Sequence, residues 1–486
     1  MKKALRLVLK LLFAVITLLV IAFTIVFYSV TGEPEPWQHP GHVNDVTQLN
    51  PIAVSREFKP KSIYEISKLV RQSAGPISIG GARHSMGGQI AFDHAVYLDM
   101  RDFNHIVLFS PKEKLITVES GITWRAIQEH IDPYDLSVSI MQTYANFTVG
   151  GSLSVNVHGR YVGQGAIIHS VQSFSLIMSN GRVVQCSREM NPELFYGAIG
   201  GYGALGVIGE VTLQLTDNCR VERITENMDV SAYRDFFTNT IRDDSAVVFH
   251  NADLYPDDYT TVRSVSYYQT LNTATVEERL KPKKERYRWE RFGMWLVSEL
   301  EAGPWLRQHI VDPIYYSSDK IVWRNYEASY DANELEPTSR EAFTYVLQEY
   351  FIPVDSFDVF VPRMAAIFKE HRVNTINVSI RHAFPDRESL LSWSRNEVFS
   401  FVIYYKQGTS VAAQQEVGIW ARKLIDAALQ TGGSYYLPYQ LHATQRQFEM
   451  AYPSASDFFA LKSKIDSANR FTNRLLNRYD SRKDNN

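Results

Sequence analysis

The chain has little cysteine, little net charge and no internal repeat. Its two cysteines, Cys186 and Cys219, form neither a zinc-ligand pair nor a disulfide framework, and they leave the redox compartment open. No metal site is expected. The formal net charge of -3 gives no reason to expect a nucleic-acid partner. There is no low-complexity block. With 45% hydrophobic against 21% charged residues, disorder is excluded and a large packed core is expected. A length of 486 residues accommodates two or three domains of about 150 residues each.

Charge is missing altogether from Leu11 to Val30. That stretch matches the ~20 residues that cross a hydrocarbon core as a helix. Lys2, Lys3, Arg6 and Lys10 precede it, and Glu33 and Glu35 follow. This asymmetry places the N-terminus in the cytoplasm and the body on the extracytoplasmic side. A cleaved signal peptide is the competing reading. The run exceeds the roughly 7–15 apolar residues of such a peptide and no A-x-A site follows. A retained single-pass membrane anchor over 1–30, with a Pro-rich linker in 31–50, is therefore expected.

What is present begins near Pro51. Ser62 and Glu65 have capping-box spacing, and Ile63, Ile66, Leu69 and Val70 form a helical stripe. Pro76–Ile79 and Leu115–Ser120 read as strands, and Trp124, Ile127 and Ile131 share one face of a short helix. Asn180-Gly181 marks a hairpin between two apolar runs. Such alternation predicts an α+β fold.

Three segments are rich in glycine: Gly80 to Gly88, then Thr148 to Ser152 with Asn156, His158 and Gly159, then Gly200 to Gly209. Glycines let a backbone approach a phosphate, and successive N–H groups make an anion-binding concavity. Gly201, Gly203 and Gly206 match G-x-G-x-x-G. The alternation of Val211, Leu213 and Leu215 with polar residues predicts a strand after them, not a helix, so a Rossmann site is rejected.

In this order and spacing the three segments resemble the PCMH-type FAD-binding domain of the vanillyl-alcohol oxidase superfamily, over about Pro51 to Leu215. The resemblance implies an FAD-binding domain over 51–220, a mixed α/β substrate or cap domain over 221–431, and a segment, 432–486, that returns to the first. It also implies that FAD is held by Gly80, Gly81, Ala82, Arg83, His84, Ser85, Gly88, Gln89, Thr148, Gly150, Gly151, Ser152, Asn156, His158, Gly203, Gly206, Val207 and Ile208, with Arg83 neutralising phosphate. Arg83-His84-Ser85 resembles the loop of alditol oxidases and cytokinin dehydrogenases, in which the corresponding histidine is linked covalently to flavin. A covalent link through His84 is expected on that basis. The bicovalent subgroup needs a cysteine where this chain reads Ser154-Val155-Asn156-Val157-His158, so no second link is expected.

Thr148–Gly159 and Asn191–Phe195 are closer to decaprenylphosphoryl-ribose oxidase and its relatives, in which the histidine matching His158 lies at flavin and substrate. Gly432–Tyr439 and Phe459–Tyr479, with Lys462, Asp466, Arg470 and Phe471, resemble the final segment of these oxidases. The chain departs from them in having Tyr439 in place of a catalytic lysine and in lacking the His-Trp-Gly-Lys motif of the sugar-lactone oxidases. Neither subgroup's substrate carries over. His158, Tyr439 and His442 become the candidate bases. Two strand-like runs, Ile376–Ile380 leading to Arg381-His382 and Phe399–Lys406, offer Arg381 or Lys406 to stabilise reduced, anionic flavin.

The expected function is FAD-dependent oxidation of an alcohol group by hydride transfer to flavin N5. The substrate would be a sugar, a polyol or a lipid-linked sugar, and the electron acceptor oxygen, a quinone or a cytochrome. Two alternatives remain: a reductase of carbon–carbon double bonds, and a non-catalytic, membrane-anchored flavin-binding module. Between Lys281 and Arg291, six basic residues stand against Glu285 and Glu290, interleaved with Tyr287 and Trp289. This suits a membrane surface or a solvated helix face.

Overall fold

Each apolar stripe becomes an element where a polar cap or a glycine turn stops it. The computed structural model describes residues 2–34, 37, 39–256, 258–284 and 286–480. Glu35 and Glu285, counted above, lie outside them. The Ser62 hydroxyl accepts the Glu65 N–H and opens the helix Ile63–Gln72, which buries Ile66 and Val70. The capping box is only half made, because the Glu65 carboxylate accepts from the Lys61 N–H instead. Thr123 caps Trp124–Ile131 in the same way. Strands Val171–Ile177 and Val183–Ser187 meet at the hairpin marked by Asn180-Gly181, where Gly181 takes a left-handed φ of +79°.

Besides the short pair His42–Val43 and Ile52–Ala53, the described residues form three sheets. A parallel sheet has Val96–Asp99 between Arg56–Phe58 and Ile77–Gly80. In the six-stranded antiparallel sheet, Val207–Asp217 pairs with Val171–Ile177, Leu115–Glu119 and Leu136–Val138. The residues after the G-x-G-x-x-G match thus form a strand, as the alternation predicts. The eight-stranded antiparallel sheet is ordered Ile321–Trp323, Arg220–Asp229, Thr261–Gln269, Val247–Leu254, Asn374–Ala383, Val398–Gly408, Phe343–Pro353, Ser434–Tyr435. Its last strand comes from the segment expected to return to the FAD-binding part. That segment closes one sheet before reaching the other.

One buried cluster runs from Val118 and Phe174 in the six-stranded sheet to Phe401 in the eight-stranded sheet and Leu424 on the helix Val411–Gln430. The two larger sheets therefore share a core, which fixes their facing surfaces. A second cluster holds Ile66, Ile77, Leu98 and Phe471 under the parallel sheet. Phe471 arrives from the C-terminal segment, whose backbone pairs with Ile77.

At the other end lies the helix Lys2–Val30. Its residues from Leu5 to Val30 are long and apolar enough to cross a membrane. Phe23 and Phe27 near its end pack on Phe292 and Trp289 of the helix Arg288–Glu299.

Candidate active site

A cavity lies where the three sheets meet, lined by the first two glycine segments, part of the third, and side chains of the eight-stranded sheet. Strand Ile77–Gly80 delivers the first loop. A Cβ on Gly80 would stand 1.9 Å from the Tyr97 hydroxyl, and one on Gly81 2.1 Å from the Thr148 hydroxyl. Only residues without a side chain leave room for the Tyr97 and Thr148 side chains against this loop. The buried Thr148 Oγ1 has no hydrogen-bond partner among the described residues.

His84 stacks on Phe147 with ring centroids 3.8 Å apart and an interplanar angle of 10°. Desolvation pushes its pKa down to about 4, against a weaker upward pull from Asp331. The imidazole is therefore neutral at pH 7. Arg83 takes a left-handed φ of +63° and sets its guanidinium over the Tyr97 ring, 5.0 Å from its centroid. Its Nη2 lies 3.1 Å from both Glu57 and Asp99. Two carboxylates hold this cation, while its buried Nε has no hydrogen-bond partner among the described residues and the residue lines the cavity.

The opposite end of the cavity is polar and enclosed. Glu349, on strand Phe343–Pro353, is 2% exposed. Its Oε1 lies 2.5 Å from His158 Nε2 and accepts a 2.5 Å bond from the Ser400 hydroxyl, while its Oε2 accepts a 3.1 Å bond from the Tyr439 hydroxyl. Burial alone would raise the Glu349 pKa. The charge and hydrogen bond of His158, helped by Arg381 and Ser400, hold it below the usual carboxylate value. Burial and the neighbouring Glu349 push Tyr439 well above the usual phenol value, so it stays protonated and donates. Arg381 lines the same end, and its buried Nε has no partner.

The FAD binding domain family matches residues 55–187. The chain is 21% identical to L-gulonolactone oxidase of Bos taurus over 436 residues, covering 86% of this chain and 93% of that protein. It is 30% identical to cytokinin dehydrogenase 2 of Arabidopsis thaliana over 177 residues, 35% of this chain and 34% of that one. This chain carries an FAD-binding domain, and these relatives are flavoproteins of the vanillyl-alcohol oxidase superfamily. Its cofactor is FAD, and it is an FAD-dependent oxidoreductase of the oxidase and dehydrogenase kind.

The flavoprotein's cavity fits that cofactor. The side-chain-free approach at Gly80–Gly81, the unpartnered Thr148 hydroxyl and the Arg381 Nε are features that a large polar ligand would satisfy. Of the sequence candidates, Gly80 through Ser85, Gln89, Thr148, Gly150, Gly151, Ser152, His158, Gly203, Gly206, Ile208, Arg381 and Tyr439 line it.

Several others do not, each for a physical reason. Val207 points into the core beneath the parallel sheet. Asn156 spends its amide on Asp386 and Ser389. Gly88 bonds Asp45 and takes a left-handed φ of +75°. Lys406 pairs with Glu299 and lies over Phe343. His442 lines a separate cleft with Arg422 and Arg478. Sequence reasoning missed Glu349, Tyr144, Phe147 and Tyr436. Glu349 alone carried a signal, as one acidic residue in the apolar run Phe343–Pro353.

Proposed function

We propose that this flavoprotein oxidises an alcohol group of a sugar, polyol or lipid-linked sugar, and that it does so held to a membrane by its N-terminal helix. The observation that carries the reading is the buried Glu349 carboxylate, shared by His158 and Tyr439 at one end of the cavity. Alcohol oxidation needs a group that removes the hydroxyl proton while the carbon loses hydride, and a base must lie within about 3 Å of that hydroxyl. FAD, when bound, supplies the two-electron acceptor for the hydride.

The chain's own residues supply the proton path. A substrate hydroxyl at Tyr439 passes its proton to the phenol oxygen as the phenol passes its own to Glu349 Oε2. His158 faces acceptors from both ring nitrogens, Glu349 on one side and the Gly159 carbonyl 3.3 Å away on the other. It therefore acts as a donor that keeps Glu349 ionised and in place. The unpartnered Arg381 Nε serves as a donor for developing negative charge. Leu347, Val402 and Phe147 supply apolar wall and exclude water. Electrons then leave for oxygen, a quinone or a cytochrome.

Stopped-flow flavin reduction, with a panel of sugars, polyols and lipid-linked sugars, tests this. Tyr439→Phe, Glu349→Gln and His158→Ala should keep FAD and slow reduction by at least about 100-fold. Wild-type rates in all three remove the proton path. Bleaching by NADPH and by no alcohol moves the activity to double-bond reduction.

A further inference from the structure

The helical stretch from Gly303 to Tyr316 is amphipathic in the reverse sense. A helix in contact with water turns charge outward and apolar groups inward. Here the two charged side chains turn in. Arg307 donates to the Ile376 carbonyl at 2.9 Å and lies 3.5 Å from Asp253 and Asp312, and Asp312 accepts from the Tyr255 hydroxyl at 2.8 Å. Outward stand Trp305, Ile310, Val311, Ile314 and Tyr315, between 43 and 69% exposed. Buried ion pairs beneath an exposed apolar face are the arrangement expected where the outer medium is not water.

The position of this face names the medium. Helix Arg288–Glu299 leads into it, with Gly303 seated against the backbone of Leu296 and Val297. Trp289 on that helix is 68% exposed, yet its ring lies 4.8 Å from that of Phe27, and Phe292 lies 5.4 Å from Phe23. Phe23 stands about 10 Å along the helix axis before Val30. If the N-terminal helix spans the bilayer, Trp289 and Phe292 sit within its last two turns, the roughly 5–10 Å depth at which interfacial helices lie. Arg286 reaches toward Glu33 at 3.6 Å, and Arg288 covers the ring of Tyr28. Cationic groups thus stand at headgroup level beside aromatic ones.

The geometry points to a second, monotopic membrane contact: helix Arg288–Glu299 and the segment Gly303–Tyr316 lie in the bilayer interface and seat the body against the lipid. The inference rests on the anchor reading proposed above, and the bilayer is the one occupant it commits to.

The test uses the full chain in vesicles of phosphatidylcholine and phosphatidylglycerol. Bimane is attached at Ile310→Cys or Ile314→Cys in a Cys219→Ser background, with Val411→Cys, a position 72% exposed, as the control. Doxyl-labelled lipid should quench positions 310 and 314 at least about fivefold more than 411, and aqueous iodide should quench them at least about fivefold less. Iodide quenching at 310 and 314 equal to that at 411, without doxyl quenching, overturns the proposal. Shielding from both quenchers means that protein, such as a second copy, covers the face, and this overturns it too. Flavin reduction and a carbonate wash of the same preparation report on the alcohol reading and the anchor separately, so failure of either is distinguishable from failure of this surface.

Discussion

His84 combines three properties that rarely meet: a glycine-flanked loop, a ring stacked on Phe147, and desolvation that keeps the imidazole neutral. A neutral ring nitrogen would add to the flavin methyl carbon once that carbon has lost a proton, leaving two electrons on the flavin for the electron acceptor to remove, so a covalent link is proposed here. After acid precipitation the yellow colour should stay in the pellet, and a tryptic peptide containing His84 should carry the mass of FAD. His84→Ala should fold and bind FAD loosely. Free FAD in the wild-type supernatant would refute the link and leave the oxidoreductase standing. At the same scale, Glu349 titrates below the usual carboxylate value. The folded chain then holds fewer protons than the unfolded one in that range. The stabilisation is complete above the ordinary carboxylate pKa of about 4.3 and is lost as pH falls through the depressed value. Melting temperature measured across this acid range should fall less steeply in Glu349→Gln than in wild type. An unchanged slope would mean that Glu349 is not the group responsible.

Among the elements, the N-terminal helix makes the largest difference to behaviour. Its outward side chains are apolar and exposed almost throughout. It meets the body near its end, through Phe23, Phe27, Tyr28 and the bond from the Thr338 hydroxyl to the Val30 carbonyl. Full-length protein should stay in membranes through high-salt and carbonate washes. Deletion to about Pro40 should leave a flavin-containing body that carbonate extracts. Recovery of the full-length product in the aqueous fraction with a shortened N-terminus would establish a signal peptide instead.

Across the whole molecule, the C-terminal segment locks the FAD-binding part to the rest. Lys462 is 2% exposed, and its ammonium donates to Asp466 and to the carbonyls of Ala204 and Phe471. It thus ties the third glycine segment to the strand-like return beside Ile77. Arg470 adds bonds to the carbonyls of Ser179, Val70 and Ser73. Removing one partner of such a buried pair typically costs about 3–5 kcal/mol. Lys462→Ala should lower the melting temperature by several degrees and weaken flavin retention, read together by calorimetry and absorbance. A variant as stable as wild type would show that the tail docks by apolar contact alone.

The local elements, and the glycine loops that line the cavity, were determined by sequence. Period, cap and turn residues act over a few positions, so Ile63–Gln72, the hairpin at Asn180-Gly181 and the strand after Gly206 could be read directly. The glycines of the first two segments were legible as well, because a close backbone approach leaves its mark in the residue that permits it. Side-chain direction was not legible. Arg83 and Arg381 look alike in the chain and both line the cavity, yet Arg83 is held by Glu57 and Asp99 while Arg381 stands beside Glu349. His158 lines the main cavity and His442 a separate cleft. Glu349 meets His158 across 191 residues, and Tyr439 across 90. Contacts over such distances depend on which sheet faces which. That is decided by the packing of the shared core, so only the tertiary structure could assemble the carboxylate, the imidazole and the phenol into one site.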